Sequence, residues 1–408
     1  MNFNYRFKCK TCESLIDSRI GMSNCDVQPL MFACPSCADP IEITVSQGKG
    51  VKFKGVETPD FDGPFTGEHP FVDLHLDFPV SFSPYVMGQT PFMKAISRIG
   101  HENYSIHNHR LNALNELYPL AEELKRLIRL YNKNPDLFSR LAESRFKEKV
   151  RSKEPKDVNL ALYAIIAKVF FPFSMPNADA VDLYMSLFGN LVSADKAGFD
   201  AFMKEIIDSK FLHNIQKDCL SVYPRILAAE LPLRPALFLD FDESYKGELT
   251  SFRVSNSDFN EYKDFYKDIS EIISRQLILV AALNNLKHRG DFNKFHNVEK
   301  HTPKILKKYA DVAYGKKVEH LDDCWYQIAS GTADNQLRNS IAHFKTEYNE
   351  ITQNVKYYPK NKGIDRKKEE NIYFLDFMRK ILISYREMHR MHQIIKCLHN
   401  YHFFIYGK

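Results

Sequence analysis

The chain has 408 residues, of which 44% are hydrophobic and 26% charged, a balance that excludes a wholly disordered polypeptide and a length that exceeds one ordinary core. The formal charge of +5 is small, but it is uneven. From Arg338 onward 14 Lys and Arg face 7 Asp and Glu, a net of +7, whereas residues 1–337 carry 42 against 44, a net of −2, so only the last sixth has the charge to meet a polyanion. A solvated basic surface is the plainer reading of the same numbers.

The N-terminus MNFNYRFKCK has no apolar run beside a small-residue cleavage site, and the most apolar stretch, LYAIIAKVFFPF at 162–173, is short and interrupted by Lys168. A soluble, cytoplasmic protein with no membrane contact is expected. The cysteines agree with that compartment. Cys9 and Cys12 form one Cys-x-x-Cys and Cys34 and Cys37 a second, while Cys219, Cys324 and Cys397 are scattered and read as buried thiols. Each pair can turn two thiolates toward one ion, and a strand hairpin would join the two turns into a closed tetrahedral site. Tyr5 and Phe7 before the first pair and the alternating Ile41, Ile43 and Val45 after the second fit that hairpin. Residues 1–50 therefore resemble a zinc ribbon, with structural Zn2+ held by Cys9, Cys12, Cys34 and Cys37. Two disulfides are the competing reading, disfavoured in a cytosolic chain, and Cys25 is a spare thiol able to stand in for one ligand.

Residues 51–110 form a second segment, rich in Pro, Gly and aromatics and then alternating through VDLHLDFPVSF, which predicts loops and one or two strands. His69, His75, His101, His107 and His109 fall in it without cysteine or paired carboxylate at ligand spacing, so ordinary surface or hydrogen-bonded histidines are expected. A helical middle segment, 111–255, follows. Leu111, Leu114, Leu117, Leu120, Leu124, Leu127 and Leu130 recur at helical spacing across Pro119, and further helices are predicted at 137–150, 158–171, 178–192, 196–209 and 211–228. The leucine stripe is too short for a heptad seam and reads as core. Residues 231–258, with two prolines and strand-like apolar residues, read as a connector.

The last segment, 256–408, opens with Phe259, Tyr262, Tyr266, Ile269, Ile273, Leu277, Val280 and Leu283, which predict one long helix stopped at Gly290. Short helices are predicted at 303–313 and 318–330. Thr332 or Asp334 can then cap a helix over 334–348, and Phe374 to Leu398 mark a long final helix, completing an up-and-down bundle. The fold class expected is mainly α, with the small β-containing ribbon at the N-terminus.

The stretch LRNSIAHF, 337–344, sets Arg338, Asn339 and His343 on one predicted helix. Asn339 and His343 are four apart and share a face, while Arg338 is turned about 140° and set back about 7.5 Å from His343. A helical bundle with Arg, a polar residue, and then His after four intervening positions resembles the HEPN superfamily, many of whose members are ribonucleases. The likeness rests on Arg338, Asn339, His343, the apolar Leu337 and Ile341 and the long helices around them, and it covers roughly 256–408. It implies a homodimer through the bundle, with two copies of the motif in one cleft, and metal-independent cleavage of RNA.

The chemistry suits those roles. RNA carries its own nucleophile in the 2′-hydroxyl, so a site needs a proton-transfer group that works near neutral pH and positive charge at the phosphorane-like transition state. His343 supplies the first, Arg338 the second, and Asn339 fixes orientation. The alternative for all three is simple capping or pairing with neighbours. His389, His392, His399 and His402 on the last helix lack an accompanying carboxylate and read as packing or exposed residues. Between the two helices, VKYYPKNKGIDRKK interleaves Tyr357 and Tyr358 with Lys356, Lys360, Lys362, Arg366, Lys367 and Lys368, a pattern suited to single-stranded RNA and equally to a solvated loop.

Two functions are carried forward. One is an RNA endonuclease acting as a toxin or anti-phage defence effector through a dimeric composite site, restrained by a regulatory protein or antitoxin and needing no catalytic metal. The other is a non-catalytic adaptor that binds nucleic acid, nucleotide or a protein partner.

Overall fold

A computed structural model describes residues 1–174, 180–242, 252–296, 302–332, 334–359 and 369–406. They pack into two compact units, each drawn from three stretches of chain. The first unit takes Met1–Tyr118, Ala228–Asp264 and Asn339–Leu382; the second takes Pro119–Leu227, Phe265–Arg338 and Ile383–Lys408. Residues 1–50 and 51–110 fall in the first unit, whereas residues 111–255 and 256–408, with the long C-terminal helices, contribute to both.

The first unit holds the described strands. β1 (Asn2–Cys9) pairs antiparallel with β2 (Leu15–Gly21), and two later strands, β6 (Val56–Glu57) and β7 (Phe71–Leu74), complete a sheet in the order β6-β1-β2-β7, β7 running parallel to β2. A second sheet is the antiparallel meander β3 (Val27–Ala33), β4 (Pro40–Ser46) and β5 (Gly50–Lys54). Alternation explains both. In β4, Ile41, Ile43 and Val45 point inward while Glu42 and Thr44 are only partly covered; in β1, Phe7 and Cys9 are buried while Asn2 and Asn4 are exposed. The inward residues meet in one core, where Phe7 packs against Phe32 and Tyr5 and Phe7 meet Phe53 edge-on.

Residues 51–110 carry more regular structure than the loops and one or two strands expected. Besides β5, β6, β7 and a two-residue β8 (Val80–Ser81), they enter α1 (Pro91–Leu117), capped by Thr90 and bent at Gly100, whose φ of 75° interrupts the helix. The leucine stripe therefore opens, at Leu111, Leu114 and Leu117, in the second half of a longer helix. It breaks at Pro119 and resumes as α2 (Ala121–Tyr131). The connector expected at 231–258 also begins as helix. In α8 (Glu230–Phe238) Pro232 lies in the first turn, which needs no N–H partner, while Pro235 sits inside the helix and gives up one ladder bond; Leu233, Ala236, Leu237 and Phe238 are buried. β9 (Phe252–Arg253) then pairs with β8. A last meander, β10 (Thr346–Asn349), β11 (Asn354–Tyr357) and β12 (Glu370–Tyr373), closes the unit. It is tied down by Gln353, whose buried amide exchanges two 2.8 Å hydrogen bonds with the backbone of Val254.

The second unit is helical. It contains α2, α3 (Pro135–Phe146), α4 (Pro155–Ser174), α5 (Ala180–Ala194), α6 (Lys196–Asp208), α7 (Phe211–Ala228) to Leu227, and parts of the two longest helices, α9 (Phe259–Arg289) and α13 (Phe374–Phe404). Middle and C-terminal helices share one core: Phe170 packs on Tyr223 and Tyr385, and Gln276 donates to the Met388 carbonyl. α4 is the described helix long and apolar enough to suit a membrane by composition, but most of its apolar residues are buried here, as in a core helix.

Two predicted helices come out differently. Residues 303–313 form only α10 (Leu306–Ala310), and 318–330 form no α-helix; α11 (Tyr314–Lys317) and a 3-10 turn precede an irregular run. Arg289 explains part of this by gripping Asp322 with two 2.7 Å hydrogen bonds, which pins the chain in a turn where the pattern allowed a helix.

Candidate functional site

The N-terminal cysteines form the one grouping among the described residues that could hold a metal ion: the four Sγ atoms of Cys9, Cys12, Cys34 and Cys37 all lie within 4.8 Å of one another. Cys9 and Cys37 are 3.8 Å apart and Cys12 and Cys34 3.7 Å. Four sulfurs at about 2.3 Å from a tetrahedral ion are separated by about 3.8 Å, so the spacing fits an ion at the centre; a disulfide needs about 2.05 Å. The competing disulfides are not formed, and Cys25 stands apart, buried and directed at Asn115 Oδ1.

The two halves of the cluster are copies of one turn. Cys9 N–H donates to the Ser14 carbonyl and Cys34 N–H to the Asp39 carbonyl; Glu13 and Ala38 donate back to the carbonyls of Cys9 and Cys34. Both Glu13 (φ 61°) and Ala38 (φ 63°) take the left-handed conformation that such a tight turn demands. Thr11 Oγ1 donates to Asp39 across the pair at 2.6 Å. Hydrogen bonding with the side chain and backbone of Ser14 brings Cys12 down to about 6. The Asp39 N–H pulls Cys37 in the same direction, but desolvation and the neighbouring sulfurs outweigh it and push that thiol to about 12. Backbone N–H groups aimed at sulfur are the outer-shell donors that thiolate sites use to stabilise charge. With four protein ligands the tetrahedron is closed.

Arg338 and Asn339 of the predicted triplet sit on α12 (Asn335–Ala342), eight residues long where a helix over 334–348 was expected. Asp334 caps it by accepting from Leu337 N–H at 3.0 Å. Its end is a Schellman turn: Lys345 N–H donates to the Ser340 carbonyl at 2.7 Å while Phe344 adopts φ 55°. Leu337, Ser340 and Ile341 are buried and Asn339 is exposed, so His343 falls just beyond the helix, exposed, its N–H donating to Asn339 O at 3.0 Å. Arg338 is one-quarter exposed and ion-paired with Glu271 of α9. Its reach toward a phosphate is thus shared with a carboxylate, which the sequence offered no means of seeing, because Glu271 lies 67 positions earlier on a helix whose polar residues carry no motif.

Of the basic stretch, Lys360, Lys362, Arg366, Lys367 and Lys368 lie outside the described residues. Tyr357 is 6% exposed and donates to Glu370 at 2.9 Å, and Tyr358 is 7% exposed; neither ring is presented for base stacking. Lys356 pairs with Glu369 at 3.0 Å.

His75, His107, His389 and His392 are hydrogen-bonded within the fold. His75 Nδ1 accepts from Asp77 N–H, and His107 Nε2 faces the Asp77 carbonyl. His392 lies between the hydroxyls of Tyr223 (2.8 Å) and Tyr163 (3.1 Å), His389 also meets Tyr223, and Gln216 continues the network to Asn159 and Tyr131. Burial pushes His389 down to about 4 and His399 to about 3, so both are neutral parts of the core. Comparison with family models, curated proteins and solved structures gives no match.

Proposed function

We propose that this chain is a metal-independent RNA endonuclease of the HEPN type, acting as a toxin or defence effector, with a zinc ion held structurally by Cys9, Cys12, Cys34 and Cys37. The observation that carries the reading is the division of α12: its apolar anchors and Ser340 are inside, while Asn339 and His343, four residues apart, are exposed. A helix end that exposes an imidazole beside an amide and keeps a guanidinium one position earlier has the groups that RNA transesterification requires.

In this mechanism His343 takes the proton of a 2′-hydroxyl, whose oxygen attacks the adjacent phosphorus. Arg338 stabilises the phosphorane oxygens, Asn339 orients substrate or imidazole, and the 5′-oxygen leaves with a proton from the second His343 of a homodimer. The products are a 2′,3′-cyclic phosphate and a 5′-hydroxyl. Zinc supplies no step, since a closed four-thiolate site leaves no position for substrate.

A second reading, a non-catalytic adaptor binding nucleic acid, nucleotide or protein, is favoured by the Arg338–Glu271 pair, which engages the one permanent charge of the triplet. Zinc-loaded protein incubated with labelled RNA in magnesium-free buffer containing EDTA separates the two, with circular dichroism to show that the fold survives the chelator. Cleavage that disappears in His343→Ala and Arg338→Ala supports the nuclease. Intact RNA supports the adaptor, and cleavage unchanged in both variants would overturn the role given to Arg338 and His343.

A further inference from the structure

Phe344, the residue after His343, has no part in the chemistry above, and the fold makes no use of its ring. It is 91% exposed, against 59% for Phe171, the next most exposed aromatic among the described residues. Its backbone, by contrast, is held on both sides. Phe344 N–H donates to the Ile341 carbonyl at 3.2 Å, Lys345 N–H to the Ser340 carbonyl at 2.7 Å, and Tyr358 N–H to the Lys345 carbonyl at 3.2 Å, after which β10 begins. The ring is thus carried outward from a fixed point whose φ of 55° lies in the left-handed region.

One exposed apolar side chain is ordinary on a protein surface. A bulky aromatic in the left-handed region is not, because glycine or asparagine takes that place at a helix end with less conformational cost. Stability alone would favour glycine at 344. A residue that is both strained and unpacked, directly beside a candidate site, points to a use for its side chain.

The proposed reaction supplies that use. For a 2′-hydroxyl to attack its own phosphorus, the attacking and leaving oxygens must come into line, which takes the nucleotide out of stacked helical geometry and costs the bases beside the cut their stacking. An aromatic ring replaces that contact for any base, since every base has a π-face. Consecutive Cα atoms are about 3.8 Å apart, so a nucleotide whose 2′-hydroxyl meets His343 has a base within reach of Phe344. Tyr357 and Tyr358, the aromatics expected to stack, are turned inward and leave the role open. We propose that Phe344 stacks on an unstacked base next to the scissile phosphate and so selects single-stranded RNA with little base preference, a role that rests on the nuclease reading for its substrate.

The test crosses a change in the protein with a change in the RNA. Fluorescence anisotropy reads the affinity of the full chain, in a His343→Ala background that leaves RNA intact, for an end-labelled single strand and for a fully abasic ribose-phosphate strand of the same length. Adding Phe344→Ala is expected to weaken the first about tenfold and the second not at all, with the thermal midpoint unchanged, and Phe344→Trp to restore the loss. Unchanged affinity in Phe344→Ala, an equal loss on both strands, or a dimer that falls to monomer in sedimentation, which would assign the ring to a second chain, each overturns the stacking role. Cleavage of RNA by the unaltered chain together with unchanged affinity in Phe344→Ala removes the stacking and leaves the nuclease. Base-dependent loss of affinity in a chain that cuts no RNA removes the nuclease and leaves the stacking.

Discussion

The four-cysteine cluster and the Arg338–His343 segment are both written in a few residues, yet they are completed by different means. The cluster closes on itself. Two copies of one turn supply four sulfurs, the N–H groups that face them and the left-handed residues that allow the turn, all within residues 9–39. The α12 segment does not. Its helix stops at Ala342, its arginine answers to Glu271 on α9, and its proposed chemistry needs a second chain. A site whose neighbours are local is specified by its motif, whereas one whose neighbours are distant is only announced by it.

Perturbing the closed site should have the largest effect. Structural zinc in small domains contributes on the order of 10 kcal/mol of apparent binding energy, which is also folding energy. Cys34→Ser is therefore expected to abolish stoichiometric zinc in elemental analysis and to open residues 1–57 to protease; retention of one zinc per chain with unchanged protection would show that the cluster does not hold the fold of this region. Next comes His343→Ala. The side chain is exposed, so the thermal midpoint should hold while RNA cleavage falls by roughly 10²-fold or more, as loss of a general acid–base group does.

Glu271→Gln should act more gently. An ion pair this exposed contributes about 0–1 kcal/mol, so stability changes little, but phosphate no longer competes for Arg338 and RNA binding should tighten by about two- to fivefold. Unchanged binding in a filter assay would show that the pair does not restrain the site. The smallest effect is on backbone strain. Phe344 is 91% exposed at φ 55°, so Phe344→Gly removes almost no packing and should raise stability by up to about 1 kcal/mol in urea unfolding. Ala38→Gly at φ 63° should do the same if strain in the cysteine turn is of the same kind.

These contrasts also mark how far the sequence could be read. Cys9, Cys12, Cys34 and Cys37 came together as their spacing required, and the helices 259–289 and 374–404 followed their apolar periodicity, because both signals are local. The end of α12 was not readable: FKTEYNE carries no glycine or proline, and the stop comes from Phe344 taking a conformation usually left to glycine before β10 pairs with β11. Tyr357 and Tyr358 alternate with lysines as exposed stacking residues would, but they lie at the end of a paired strand and beside it, and their rings turn inward. Glu271 carries no signal at all, because its significance arises from the arginine it faces.

The proposed chemistry depends on the substrate's own 2′-hydroxyl, and that dependence is the most direct thing to measure. A labelled RNA and the same oligomer carrying a single 2′-deoxy nucleotide at the mapped cut site, incubated with the protein and its His343→Ala variant, give the answer. Cleavage of the RNA to a 2′,3′-cyclic phosphate is expected, with none at the deoxy position and none by the variant. Cleavage at the deoxy position, or products bearing a 5′-phosphate, would contradict this chemistry.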